Sequence, residues 1–170
     1  METASETGTL HLLIGPVGAG KSTWAARWSA HRPALVLDLD TCMVRLFGED
    51  TRPESGVMQW YMARRARVSA LLWQTAVQAL HAGADVVLEL GLVTAAEREA
   101  ACRTALAEGF QPVVHLIDAP RDVRRERVER RNREAGPHTQ VVPPAFFERA
   151  SDAWEPVSAA EREAWAILDG

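Results

Sequence analysis

The stretch Gly15-Pro16-Val17-Gly18-Ala19-Gly20-Lys21-Ser22 satisfies the spacing G-x-x-x-x-G-K-[ST] at every fixed position. Each residue type in it suits the holding of a polyphosphate. Glycines let backbone N–H groups turn inward around an oxyanion. A lysine carries a compact point charge to β- and γ-phosphates, and Ser22 offers a hard oxygen to Mg²⁺. Thr23 follows in the first turn of a helix, whose N-terminus adds partial positive charge and free donors. Lys21 is the only lysine among the 19 basic residues of a 170-residue chain. A planar, long guanidinium serves a surface or a lid, but a tight backbone loop accepts only a thin stem and a small ammonium. The stretch from Gly15 to Thr23 is therefore expected to bind a nucleoside triphosphate, ATP, together with Mg²⁺.

Phosphate chemistry also needs a carboxylate near the loop. In "ALVLDLD", Ala34–Asp40, an apolar run finishes in two acids. Read as one strand, its period of two sets Asp38 and Asp40 on the same face, with Asp40 nearer the end where a ligand would sit. Asp40 is the candidate to orient and deprotonate a substrate hydroxyl. Asp38 is its rival, as a group holding a metal-bound water or as a helix cap. Glu89 closes a second such run, "DVVLELG", and is placed to hold a magnesium-bound water, to bind a substrate hydroxyl, or simply to pair with an arginine.

A third cluster is cationic. Between Arg121 and Arg133 stand arginines 121, 124, 125, 127, 130, 131 and 133, opposed only by Asp122, Glu126 and Glu129. Helical spacing stacks Arg124, Arg127 and Arg131 along one face. Such a face can be a solvated, self-paired surface. It can also be a lid, whose arginines spread over the oxygens of a transferring phosphoryl group and which keeps bulk water out. In that reading Arg127 and Arg131 are the catalytic pair, Arg121 approaches adenine or ribose, and residues 120–144 form the lid. Tyr61, Arg64 and Arg65, on the longest helical pattern, are candidates with Glu89 to line an acceptor site between that helix and the strand ends.

The elements that must position these groups alternate. Apolar runs at 9–15, 34–40, 85–91 and 112–118 read as strands, and "AWAIL" (164–168) as a short last one. Helical patterns occupy 21–31, 41–48, 56–82, 94–109, 120–134 and 144–154, the fourth opening on a capping box, Thr94 with Glu97. Continuous apolar strands alternating with helices favour a parallel sheet covered on both faces, with every strand's C-terminal end on one edge. One domain over 1–170 is expected, with residues 1–8 a flexible tail.

Composition narrows the partners. Net charge is −4, which argues against nucleic acid as a partner, and no apolar run is long enough for a membrane span. The polar N-terminus reads as neither signal nor transit sequence, and Cys42 and Cys102 have no metal-ligand or redox spacing, which suits a cytoplasmic chain. His115, inside an apolar run, reads as a core histidine.

With these residues in view, the chain resembles the small P-loop kinase-like proteins of the AAA_33 type, the group that includes chloramphenicol phosphotransferase, zeta toxins and the kinase domain of polynucleotide kinase. The likeness runs over nearly the whole chain. It rests on "GPVGAGKST", "LDLDTCMVRLFG", "VVLELGLVTAAERE" and "LIDAPRDVRRERVERRN". It implies a three-layer α/β/α fold of the nucleoside-kinase-like P-loop NTPases, with about five mostly parallel strands. It places the family's catalytic aspartate on Asp40 and its lid arginines on Arg127 and Arg131. Two departures lie on the acceptor side: "ELGL" stands where members acting on nucleic acid ends or sugars often have "DATN", and Met43 takes the place of the arginine in Asp-x-x-Arg. The activity expected is transfer of the γ-phosphate of Mg-ATP to a hydroxyl of a small molecule, a metabolite or antibiotic. The alternatives are an ATPase or nucleotide-binding switch with a protein partner, and a polynucleotide 5′-hydroxyl kinase.

Overall fold

Five parallel strands form one sheet in the order β2-β3-β1-β4-β5. In the computed structural model, which describes residues 7–136 and 141–170, they are β1 (Leu10–Ile14), β2 (Ala34–Asp38), β3 (Asp85–Glu89), β4 (Val113–Leu116) and β5 (Leu168–Asp169). The helices are α1 (Lys21–Ser29), α2 (Leu39–Phe47), α3 (Val57–His81), α4 (Ala95–Ala107), α5 (Arg121–Arg133), α6 (Pro144–Ala153) and α7 (Ala159–Trp165). This is the α/β P-loop NTPase fold the motifs imply. β1 lies in the centre, paired with β3 on one edge and β4 on the other, and all five of its residues are buried.

Alternation along the strands separates two cores. Leu10, Leu12 and Ile14 join Val86, Leu88, Val114 and Leu116 beneath α3 and α4, where Val68, Leu72, Ala76, Leu80, Cys102 and Ala105 close the main core. The opposite faces of the same strands carry Leu13 and Val87, covered by Ala25, Trp24 and Trp28 of α1. His11 and His115 also lie on that side, buried, with Nδ1 and Nε2 3.0 Å apart. Burial pushes His115 down to about 4 and lowers His11 as well. The second core is thin over β2, an edge strand whose Leu35 and Val36 are exposed.

Two element boundaries differ from the sequence reading. β2 stops at Asp38, and Leu39 already belongs to α2. Asp38 ends the strand by capping the helix, its Oδ1 accepting from Thr41 N–H at 2.6 Å. Asp40 thus sits in the first helical turn, and the two acids do not share a strand face. The last strand is not "AWAIL": residues 159–165 are helical, capped by Ser158, and Ala166 turns through a left-handed conformation (φ 46°) to release Leu168–Asp169 onto β4. At the other end, residues 1–6 of the expected tail lie outside the described residues. Gly8 is tied in, its N–H donating to Leu80 O.

Candidate functional site

The loop after β1 is shaped by its glycines. Gly15 adopts φ +149°, and a Cβ there would lie 2.0 Å from Ile117 O, so the loop's first position has no room for a side chain. Gly18 and Gly20 take φ +76° and +108°, which turns the intervening peptides. The N–H groups of Gly18, Gly20, Lys21, Ser22 and Thr23 donate to no backbone carbonyl among the described residues. Unpaired amides at a helix start are an anion cradle. Pro16, Val17 and Ala19 complete the loop: Ala19 N–H donates to Pro16 O at 3.3 Å, and Val17 packs toward Val128, Val142 and Phe147.

Lys21 curls into this cradle. Its Nζ donates to Gly15 O (2.9 Å) and Pro16 O (3.1 Å) and lies 3.3 Å from Glu89 Oε1. Glu89 is the last residue of β3, side by side with Asp38 of β2 in the strand register. It is 9% exposed. Burial raises its carboxyl to about 7; Lys21 opposes that shift, while Asp38 and Asp40 add to it. A carboxyl poised near neutrality thus faces the single lysine. Ser22, Asp38 and Glu89 together form the inner end of a cavity of ≈ 490 Å³ between α1, β2 and α2, with Cys42 and Arg45 farther along.

Asp40 stands on the other side of Asp38, with its side chain 57% exposed and Oδ1 3.8 Å from Arg65 Nη1. Partial desolvation raises its carboxyl above the usual range. Arg65 is the strongest opposing influence, followed by Lys21 and Arg131, and Asp38 reinforces the rise. The loop, Asp38, Asp40 and Glu89 therefore share one neighbourhood at the C-terminal edge of the sheet, where this class of fold binds ligands.

The cationic helix α5 does pack over the phosphate loop. Arg127 Nη1 donates to Ala19 O at 2.9 Å. Arg131, one turn on, acts on Asp40 through its charge. Arg124, which the spacing groups with them, is instead buried as a strut: it donates to Val17 O, Ala119 O and Ser151 Oγ and lies over Phe147 of α6. Arg121 is turned away from the loop toward α6, where it pairs with Glu148 (2.5 Å) and Asp152 (2.8 Å). Of the expected lid, 120–144, residues 137–140 lie outside the described residues.

Of the acceptor candidates on α3, Tyr61 packs against the main core. Arg64 stacks over Trp60 (3.9 Å) and Phe47 (5.3 Å) and leans toward Asp50. Neither lines the cavity. Arg65 is the residue of that pair that reaches the strand ends, donating to Leu90 O and Gly91 O. Among the described residues no cluster of three or more His, Cys, Asp or Glu forms a metal cage. The donors present, the Ser22 hydroxyl with two carboxylates beyond it, fit a Mg²⁺ held largely by phosphate oxygens and water. No helix among the described residues is long and apolar enough to cross a membrane.

The model of the AAA_33 family, described as an AAA domain, matches residues 10–156. No curated protein matches the chain by sequence. Solved structures share its fold at low identity. Kti12 of Chaetomium thermophilum, in complex with ADP-AlF3, is 17% identical, with TM-score 0.67 over 95% of this chain and 88% of that one. A gluconokinase from Sinorhizobium meliloti is 14% identical, with TM-score 0.59 over 96% and 82%. A chain of the Pnkp1/Rnl/Hen1 RNA repair complex is 16% identical, with TM-score 0.69; the match covers 94% of this chain and only 46% of that one.

Proposed function

Since the chain belongs to the AAA_33 family, a group of small P-loop kinase-like proteins, we propose that it is an ATP-dependent phosphotransferase that moves the γ-phosphate of Mg-ATP to a hydroxyl of a small molecule. One observation carries the reading: the phosphate loop's lysine, a carboxyl of raised pKa on β3 and an arginine from α5 meet around the same loop.

In this reading the free amides of Gly18 and of Gly20 to Thr23 take the phosphate oxygens. Lys21 leaves Gly15 O, Pro16 O and Glu89 and moves to the β,γ-phosphates. Bound Mg²⁺ would supply charge neutralisation across the phosphates, with Ser22 as its protein ligand. Glu89, released from Lys21, would be free to hold a water of the magnesium shell. Asp40 accepts a hydrogen bond from the acceptor hydroxyl and takes its proton as the oxygen attacks. Arg127 and Arg131 stabilise the charge on the transferring group, and α5, the part of the expected lid that packs over the loop, covers it. Arg121, at the start of α5, would have to leave Glu148 and Asp152 of α6 to approach adenine or ribose.

A cavity of ≈ 490 Å³ lined in part by Ser22, Asp38, Thr41 and Glu89, with Asp40 next to its lining in the chain and not part of it, has the size of a metabolite site. That and a net charge of −4 favour a small molecule over a polynucleotide. The test is transfer of label from γ-³²P-ATP to pooled metabolites, antibiotics and oligonucleotides. Label on a small molecule supports the proposal. Label on oligonucleotide ends, weakening steeply with salt, identifies an end kinase instead. Label released only as phosphate, at a rate changed by a protein partner, identifies a switch.

A further inference from the structure

The junction between α2, α3 and the exit of β3 is organised around one side chain that the phosphate-loop chemistry does not use. Arg65 is largely buried. Its Nη2 donates to Leu90 O at 2.7 Å and to Gly91 O at 3.0 Å. Its Nη1 lies 3.8 Å from Asp40 Oδ1. The backbone is shaped to admit it. Gly91 adopts φ +61°, and a Cβ at that position would lie 2.7 Å from Arg65 Nη2. Any other residue there would be strained and would push the guanidinium out.

The need for such a group is visible in α2. Asp40 opens that helix, and its only basic residue, Arg45, is in the last turn. Met43, one turn from Asp40, is apolar and buried. No cation of its own helix therefore holds Asp40. The charged groups around it come from elsewhere: Asp38 from β2, Lys21 from α1, Glu89 from β3, Arg131 from α5 and Arg65 from α3. Of the cations, Lys21 is committed to the phosphate loop and Arg131 lies on the lid. Arg65 alone is fixed to the sheet edge by two backbone bonds. The other carboxylate in its field, Glu97, is already taken by the N–H groups of Val93 and Thr94.

We propose that Arg65 is a positioning residue for Asp40. Its guanidinium is anchored on the Leu90–Gly91 backbone and holds Nη1 3.8 Å from Asp40 Oδ1, and so sets where that carboxylate lies relative to the end of β3. A guanidinium does both through two terminal nitrogens held apart in one rigid plane, a separation that the single nitrogen of an ammonium lacks. This rests on Asp40 being the base of the proposed transfer.

The experiment compares wild type with Arg65→Met and Arg65→Lys by two independent readouts. The first is the ¹³C-carboxyl titration of Asp40, its resonance identified by its loss in Asp40→Asn. Removing the guanidinium should raise the Asp40 midpoint by about one unit, as loss of a close opposite charge does. The second is Mg-ATP affinity against single-turnover loss of the γ-phosphate, to an acceptor or slowly to water. Arg65→Met should leave affinity within about twofold and slow turnover about tenfold or more. Arg65→Lys, which keeps a cation should the Met variant fail to fold, should recover part of the titration but not the rate. An unmoved Asp40 titration overturns the proposal. So does a lysine variant with wild-type rate, or an equal loss of affinity and turnover, which is what a mere backbone clamp would give. If wild type transfers no phosphoryl group to any acceptor, the functional reading fails, and the titration still decides whether Arg65 governs Asp40.

Discussion

Replacing Glu89 by Gln should change how the protein's stability depends on pH, and by an amount the site itself sets. Glu89 is 9% exposed, and its carboxyl is raised from an ordinary 4.5 to about 7, chiefly by burial and against the pull of Lys21 at 3.3 Å. The raised value means that the folded chain keeps a proton which the unfolded chain releases. Stability is therefore full below about pH 4.5 and falls as pH rises through about 7. At about 1.4 kcal/mol per pKa unit, the loss from this one group is roughly 3 kcal/mol. Glu89→Gln keeps the shape and removes the titration. Urea unfolding, followed by tryptophan fluorescence at fixed ionic strength from about pH 4 to 8, reads the difference. The variant's advantage over wild type should grow across that window by roughly 3 kcal/mol. Parallel stability curves for the two proteins would refute the claim that Glu89 is held near neutrality by burial beside the loop.

Other perturbations test other parts. Lys21→Ala should lose Mg-ATP affinity by more than about tenfold in calorimetry, with little loss of stability, because Lys21's partners are two loop carbonyls and Glu89. Gly15→Ala should cost about 2–4 kcal/mol in denaturant unfolding, since its Cβ would meet Ile117 O at 2.0 Å in a left-handed conformation. Glu161→Gln should cost about 3–5 kcal/mol in the same assay, because it strands Arg98, 1% exposed and held by Glu161 at 2.5 and 2.9 Å.

The phosphate loop was readable because its meaning lies in local spacing: a strand, a glycine turn and a helix start within a dozen residues. That β1 is a buried strand was likewise legible in the largely apolar run Thr9–Gly15. The Asp38–Asp40 boundary was harder. "LDLD" has strand periodicity, and only the capping bond from Thr41 N–H to Asp38 shows where the helix takes over. The helix at 159–165 had a legible signal, Ser158 followed by Glu161 three residues later, but the adjacent apolar "AWAIL" suggested a strand. On α5 the seven arginines look alike in sequence. Docking of α6 decides that Arg124 is buried and Arg121 paired away from the loop, while Arg127 rests on Ala19 O. Arg65 stood out least. Its partners are 25 residues away, and the feature that marks it is a glycine conformation at position 91.

The most direct test of the account is the partition of the ATP γ-phosphate by wild type and Asp40→Asn, measured with Mg-ATP affinity on the same samples. The account predicts that wild type places label on a small-molecule hydroxyl. Asp40→Asn should bind Mg-ATP nearly as well and transfer it slower by a factor of 10² or more, on the order expected for loss of a general base. Transfer undiminished in Asp40→Asn, or label that never leaves for any acceptor but water, would contradict it.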